Sequence, residues 1–153
     1  KDAPELLKRF EAVKNTPGHY LLEIHDVAAG TRLGTIIVAL GHATTGITGP
    51  SIPGDDAVIA DTRNRIHVYS LSTGELKGQL FGRGPAVAAK GDVVAFENGP
   101  GRLFVYDLAT LGVRAEFRFR RRVTLAAFND ASAELLVVTA DQAAVRLAVP
   151  PRP

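Results

Sequence analysis

A short phrase recurs four times along this chain: Ile24-His25-Asp26-Val27, Val68-Tyr69-Ser70-Leu71, Val105-Tyr106-Asp107-Leu108 and Val145-Arg146-Leu147-Ala148. Its copies begin 44, 37 and 40 residues apart. A period of about 40 residues built from short apolar runs marks a small β-sheet repeated around an axis or along a stack. One such sheet cannot bury both of its faces alone, so each copy must pack on the next. The repeat therefore constrains architecture far more than it constrains activity.

Only the start of the chain departs from this pattern. Over residues 3–15, Leu6, Leu7, Phe10 and Val13 fall on one face of a 3.6-residue period, which predicts an amphipathic helix. Pro4 suits its first turn, and Asn15-Thr16-Pro17-Gly18 stops it. The expected organisation is a helix within residues 1–16, sheet repeats over 17–150 and a tail at 151–153. Strands are expected at 20–27 and 33–40, followed by a loop rich in Gly, Thr and Pro from Gly41 to Asp55. Further short runs at 57–61, 66–71 and 75–81, at 85–89, 92–97, 103–108 and 113–119, and at 123–128, 134–139 and 144–149 repeat one order. Turn residues such as Ser72-Thr73-Gly74 and Asn98–Gly101 separate them. In each full unit one strand is nearly continuous in apolar residues (Ala57–Ala60, Val93–Phe96, Leu135–Val138), as a strand covered on both faces must be.

Composition narrows the classes further. At 153 residues, with 46% hydrophobic and 22% charged side chains, the chain suits one domain with a sizeable core. No stretch approaches eighteen consecutive apolar residues, so no membrane-spanning helix is expected. There is no cysteine, which excludes disulfides, thiolate metal sites and a cysteine nucleophile. The chain opens at Lys1 and contains no methionine, so the expectation is a chain that has lost a leader or forms part of a longer one. A cytoplasmic or an exported protein fits equally. Arg outnumbers Lys 13 to 5, as in proteins from GC-rich bacterial genomes.

The segments Ile66-His67-Val68-Tyr69-Ser70-Leu71-Ser72-Thr73-Gly74-Glu75-Leu76 and Leu103-Phe104-Val105-Tyr106-Asp107-Leu108-Ala109-Thr110 resemble the third and fourth strands of blades in the WD40-like and quinoprotein-like β-propeller superfamily. Gly41-His42 resembles the pair that opens a WD40 unit. The likeness covers residues 19–149. It implies an all-β chain, a partial propeller of about three four-stranded antiparallel blades, with strands lettered a to d from the axis outward. No Trp-Asp pair occurs, the second Gly-His position reads Gly82-Arg83, and tryptophan is absent, so a divergent, non-quinoprotein propeller without a cofactor is the expectation. Counted as c–d, a–d, a–d and a–c, the strands number 13, short of the roughly sixteen in the smallest closed ring. Self-association or a partner that completes the ring is therefore expected. The rival architecture is a small β-sandwich.

Few residues point to chemistry. His19, His25, His42 and His67 lack metal-ligand spacing, and His42, at the opening of a unit, is the one placed to bond across a blade. Ser51, Ser70, Ser72 and Ser132 lie outside any nucleophile motif. Gly82-Arg83-Gly84-Pro85 begins like a phosphate loop, but Pro85 removes a backbone donor and a strand is expected to follow. Asp55-Asp56 could collect a calcium ion or simply face solvent.

The charge distribution is more informative. Residues 1–112 carry 11 basic and 12 acidic side chains, whereas residues 113–153 carry 7 and 4. Arg114, Glu116, Arg118 and Arg120 alternate with Ala115, Phe117 and Phe119, which predicts an outer strand with one wet face. Arg121 and Arg122 extend the run. It either guards a sheet edge or meets an anionic partner, and nucleic acid is the least favoured of these because no aromatics share that face. The leading functional expectation is a non-catalytic propeller module for protein–protein interaction. Its candidate contacts are loop residues at one end of the blades, Arg63, Asn64, Arg83, Pro100 and Arg102, with the patch Arg118, Arg120, Arg121 and Arg122. The alternatives are an accessory propeller that gates substrate for a catalytic domain elsewhere, and a self-associating structural subunit.

Overall fold

A computed structural model of the chain describes residues 19–26, 28–39, 55–88 and 92–152. The helix expected near the start, His42 and almost all of the Gly41–Asp55 loop lie outside these residues. The described residues form four antiparallel sheets. The first pairs β1 (His19–Asp26) with β2 (Thr31–Ala39). The second orders β3 (Asp56–Ala60), β4 (Arg65–Ser70) and β5 (Leu76–Phe81). The third contains β6 (Arg83–Val87), β7 (Val93–Glu97), β8 (Arg102–Asp107) and β9 (Val113–Arg118). The fourth orders β10 (Val123–Phe128), β11 (Glu134–Thr139) and β12 (Ala144–Ala148). Every pairing joins strands consecutive in sequence, so each sheet is a meander.

The sheets stack in chain order, and the core is divided accordingly. Ile24, Ile36 and Val38 of the first sheet meet Ala57, Ile59, Tyr69 and Leu71 of the second. Val58, Ile66, Val68 and Leu80 on the other side of the second sheet meet Val94, Phe96, Phe104 and Leu108 of the third. Val93, Ala95, Leu103 and Val105 then meet Leu135 and Val137 of the fourth. Alternate residues of one strand thus serve two different cores, because successive side chains on a strand point to opposite faces. Three apolar layers in series are the packing of propeller blades; a sandwich would have a single shared layer. Each fully buried Val, Leu or Ile contributes about 1.5–3 kcal/mol, so the interfaces between sheets carry most of the stability.

Two details fix the register of the repeat. The c–d ladders shift between Ile24 and His25, between Val68 and Tyr69, and between Val105 and Tyr106, one bulge at one repeat position. Just beyond it, Asp26, Ser70 and Asp107 occupy one site, where the side chain caps the turn. Asp26 accepts from the N–H groups of Ala28 and Ala29, and Asp107 from those of Ala109 and Thr110. The Ser70 hydroxyl accepts from Thr73 N–H at a longer 3.4 Å.

The fourth copy is displaced by one residue from the match read in the sequence. The N–H groups of Leu71, Leu108 and Val149 each donate to the carbonyl just ahead of strand b, on Asp55, Asp92 and Ala133. The true counterpart of Val105-Tyr106-Asp107-Leu108 is therefore Arg146-Leu147-Ala148-Val149. Leu147 and Val149 face the third sheet, and Arg146 stands outward where Val68 and Val105 meet a following sheet. Leu125 and Leu136 are also exposed on this last sheet.

Candidate binding face

The b–c turns gather at one end of the stack, and buried acids shape two of them. Asp61 ends strand b of the second sheet. Its Oδ1 accepts from the backbone of Arg63 at 2.8 Å and of Arg65 at 3.1 Å. Its Oδ2 accepts from Arg65 Nε at 2.9 Å and meets His67 Nε2 at 3.1 Å. Gln79 Nε2 sits 3.1 Å from His67 Nδ1, so both ring nitrogens of this buried histidine are engaged. Burial pushes the Asp61 carboxyl up, but the bonds from His67 and from the Arg63 and Arg65 backbone outweigh it and hold the group at about 2. Asn64 closes the turn with φ of 57°, a left-handed conformation that Asn tolerates. Arg63 and Asn64 are thereby presented outward on a fixed loop.

Glu97 does the equivalent work in the third sheet. Its side chain is only 3% exposed. It accepts from Arg83 Nε at 2.8 Å, from a second Arg83 nitrogen, from the N–H of Gly101 at 2.9 Å and from the N–H of Val123 at the start of the fourth sheet. Burial raises its carboxyl, and the Val123, Gly101 and Arg83 donors lower it by more. One side chain thus ties a b–c turn, strand a of its own sheet and strand a of the next. Gly101 allows this at φ of 76°, and a Cβ there would lie 2.4 Å from Phe119 O.

Between these turns the chain passes from Phe81 through Gly82 to Arg83. Gly82 N–H donates to Asn64 O at 2.7 Å, and Asn98 Nδ2 donates to Phe81 O at 2.8 Å. A Cβ on Gly82 would lie 2.3 Å from the Phe96 ring, so only glycine permits this close crossing. The result is a groove of about 440 Å³ whose walls include Arg63, Asn64, Phe81, Arg83 and Pro100. A second depression of about 340 Å³ shares Arg83 and Glu97 and continues past Arg122 to Leu125.

The predicted contact residues therefore separate into groups. Arg63, Asn64, Arg83 and Pro100 share the first groove, and Arg122 joins Arg83 in the second. Arg102 lies elsewhere, 4.7 Å over the Phe104 ring and bonded to Glu116 at 2.8 Å. Arg118 bonds the same carboxylate at 2.8 Å. Arg120 and Arg121 are exposed in the link to the fourth sheet. Arg114 departs from the expected wet face: its side chain is 6% exposed and bonds Asp107 Oδ2 at 2.8 and 3.1 Å. Two residues of the groove were not singled out from the sequence. Glu97 could have been found as a carboxylate closing an apolar strand, and Phe81 as an aromatic next to a glycine crossing.

The opposite end of the stack holds Asp55 and Asp56, the adjacent carboxylates with the calcium-like pattern. Asp55 Oδ2 accepts from the hydroxyls of Ser70 at 3.0 Å and Ser72 at 2.8 Å, and Asp56 pairs with Lys77 at 2.8 Å. No group of three or more His, Asp and Glu among the described residues is disposed to hold a metal ion. The phosphate-loop resemblance is followed by β6, a strand. No helix among the described residues is long and apolar enough to cross a membrane.

Antiparallel meanders of two to four described strands, stacked face to face in chain order, define a β-propeller-type fold. No protein-family model matches the chain, and no curated protein matches it in sequence. Among solved structures, the chain is similar to one titled dihydro-heme d1 dehydrogenase NirN in complex with DHE, with a TM-score of 0.59 and 19% identity. The match covers 86% of this chain and 33% of that one, so the chain spans about a third of its length. The likeness establishes the propeller fold and does not single out the WD40 group within it.

Proposed function

We propose that this chain is a WD40-like propeller module that recognises another protein through the b–c end of its sheets and carries out no chemistry itself. The observation behind this reading is the groove into which Arg63, Asn64, Arg83 and Pro100 converge from two sheets. Support comes from how the neighbouring ionisable groups are used. Asp61, His67 and Glu97 are buried and hydrogen-bonded into the turns that build the surface. Such groups rigidify a face, and a face that is rigid before binding loses little entropy on complex formation. The test places a photo-cross-linking residue at Pro100 or, at the opposite end, at Asp130, in cells of the source organism. A discrete protein adduct from position 100 and none from position 130 is expected. Equal labelling from both ends, or none from position 100, would count against the reading.

A second reading is favoured by the solved dehydrogenase, of which this chain matches about a third. In it, the propeller gates or orients substrate for a catalytic domain in a longer chain. Intact mass of the native protein separates the two, a value far above 16.3 kDa favouring the accessory role. A native mass that is a multiple of 16.3 kDa would favour self-association, for which the exposed Leu125 and Leu136 of the last sheet offer a surface.

A further inference from the structure

The groove has a definite chemical character beyond its position. Phe81 is 61% exposed and Leu125 51% exposed, the former lining the first depression and the latter the second. Large apolar side chains at this exposure are unusual unless they meet something. The backbone at Phe81 is also held in place. Its carbonyl accepts from Asn98, its ladder partner is Arg65, and the next residue is bonded to Asn64. An exposed aromatic on a fixed backbone beside arginine is the composition of a binding hot spot.

The charge of the groove is equally one-sided. Three arginines, Arg63, Arg83 and Arg122, line the two depressions. The single carboxylate among the lining residues is Glu97, buried and already bonded by four donors. Arg83 is partly satisfied by Glu97 yet remains 45% exposed. Arg63 and Arg122 have no ion-pair partner among the described residues. A ligand entering here therefore meets cationic forks flanked by apolar anchors, with no exposed acid among the lining residues.

We propose that this double groove binds an acidic segment of a partner protein in extended form, its carboxylates on Arg63, Arg83 and Arg122 and an apolar side chain against Phe81. The inference rests on the protein-recognition reading above and adds the chemistry of the partner. Guanidinium forks match carboxylates bidentately, and the apolar anchors distinguish a peptide from a bare polyanion. A single-stranded nucleic acid would need a row of aromatics along its track, and this groove offers one aromatic ring.

The test is peptide phage display on the 153-residue chain, followed by fluorescence anisotropy with the best selected peptide and with a labelled oligonucleotide of equal charge. Enrichment of peptides that combine Asp or Glu with an aromatic or large aliphatic residue is expected. The Arg63→Gln/Arg122→Gln variant and the Phe81→Ala variant should each bind the selected peptide about tenfold more weakly or worse. Because all three side chains are exposed, unchanged far-UV circular dichroism and unfolding midpoints should accompany the loss. Selected peptides with no acidic excess, affinity untouched by either variant, or equal binding of the oligonucleotide would overturn the proposal. If position 100 still cross-links a partner in cells through a neutral or basic segment, the recognition reading survives and the acidic-segment inference alone falls.

Discussion

Replacing Asp107 by Asn isolates what its charge contributes at the c–d end of the third sheet. Asn keeps an oxygen for the N–H groups of Ala109 and Thr110, at 2.8 and 3.1 Å, so the turn itself survives. The second sheet shows that a neutral side chain is enough there, since Ser70 occupies the equivalent site. The substitution instead places an amide N–H₂ where Oδ2 receives Arg114 and Arg152. Removing one partner of a buried ion pair costs about 3–5 kcal/mol, because the other charge is left without compensation. Two features set the value within or below that range. Arg152 is half exposed and screened by solvent, so it adds little, and Asp92 remains 3.5 Å from Arg114 as a partial substitute. The expected loss is about 3 kcal/mol, measured by urea unfolding followed by circular dichroism. The companion variant Asp107→Asn/Arg114→Met removes the orphaned charge and should recover most of that loss. A single-variant loss below about 1 kcal/mol, or a double variant that loses the sum of both, would show that Arg114 is not held as a buried cation.

Three further outcomes follow from the same geometry. Asp61 has a folded value of about 2 against 3.8 in an unstructured chain, so its contribution of about 2 kcal/mol should be complete above about pH 5 and disappear as pH falls toward 2. The stability gap between the parent chain and Asp61→Asn should therefore narrow by that amount over this range, and a constant gap would refute the assignment. Tyr69→Ala should cost about 3–5 kcal/mol because the ring is 2% exposed between the first two sheets, whereas Phe81→Ala should cost under about 1 kcal/mol; chemical denaturation reads both. Gly101→Ala should destabilise by well over 1 kcal/mol, since the new Cβ meets Phe119 O at 2.4 Å, while Gly99→Ala, with φ of 77° and open space, should cost about 1 kcal/mol in the same assay.

What was legible in the sequence is what depends on local pattern. Alternation and turn residues located the described strands to within a few residues, and the recurring phrase placed Tyr69 and Tyr106 at one site between consecutive sheets. Their bulges and capped turns follow from residues within a few positions of one another. The register of the last strand was misread because Val145 matches Val105 by type, while strand geometry goes by parity. A slip of one residue reverses every side chain, and only pairing with β11 shows that Leu147 and Val149 are the inward pair. The candidate binding face was the least legible part. Arg63, Asn64 and Arg83 could be named as loop residues, but their convergence depends on how tightly Gly82 lets one sheet follow the next. Arg114 reads as one more wet arginine until Asp107 and Asp92 close over it. Phe81 reads only as the end of a strand, and its 61% exposure appears once the described sheets are stacked. Exposure of a strand residue is decided by the adjacent sheet, which lies about forty residues away in sequence, and no local pattern carries that information.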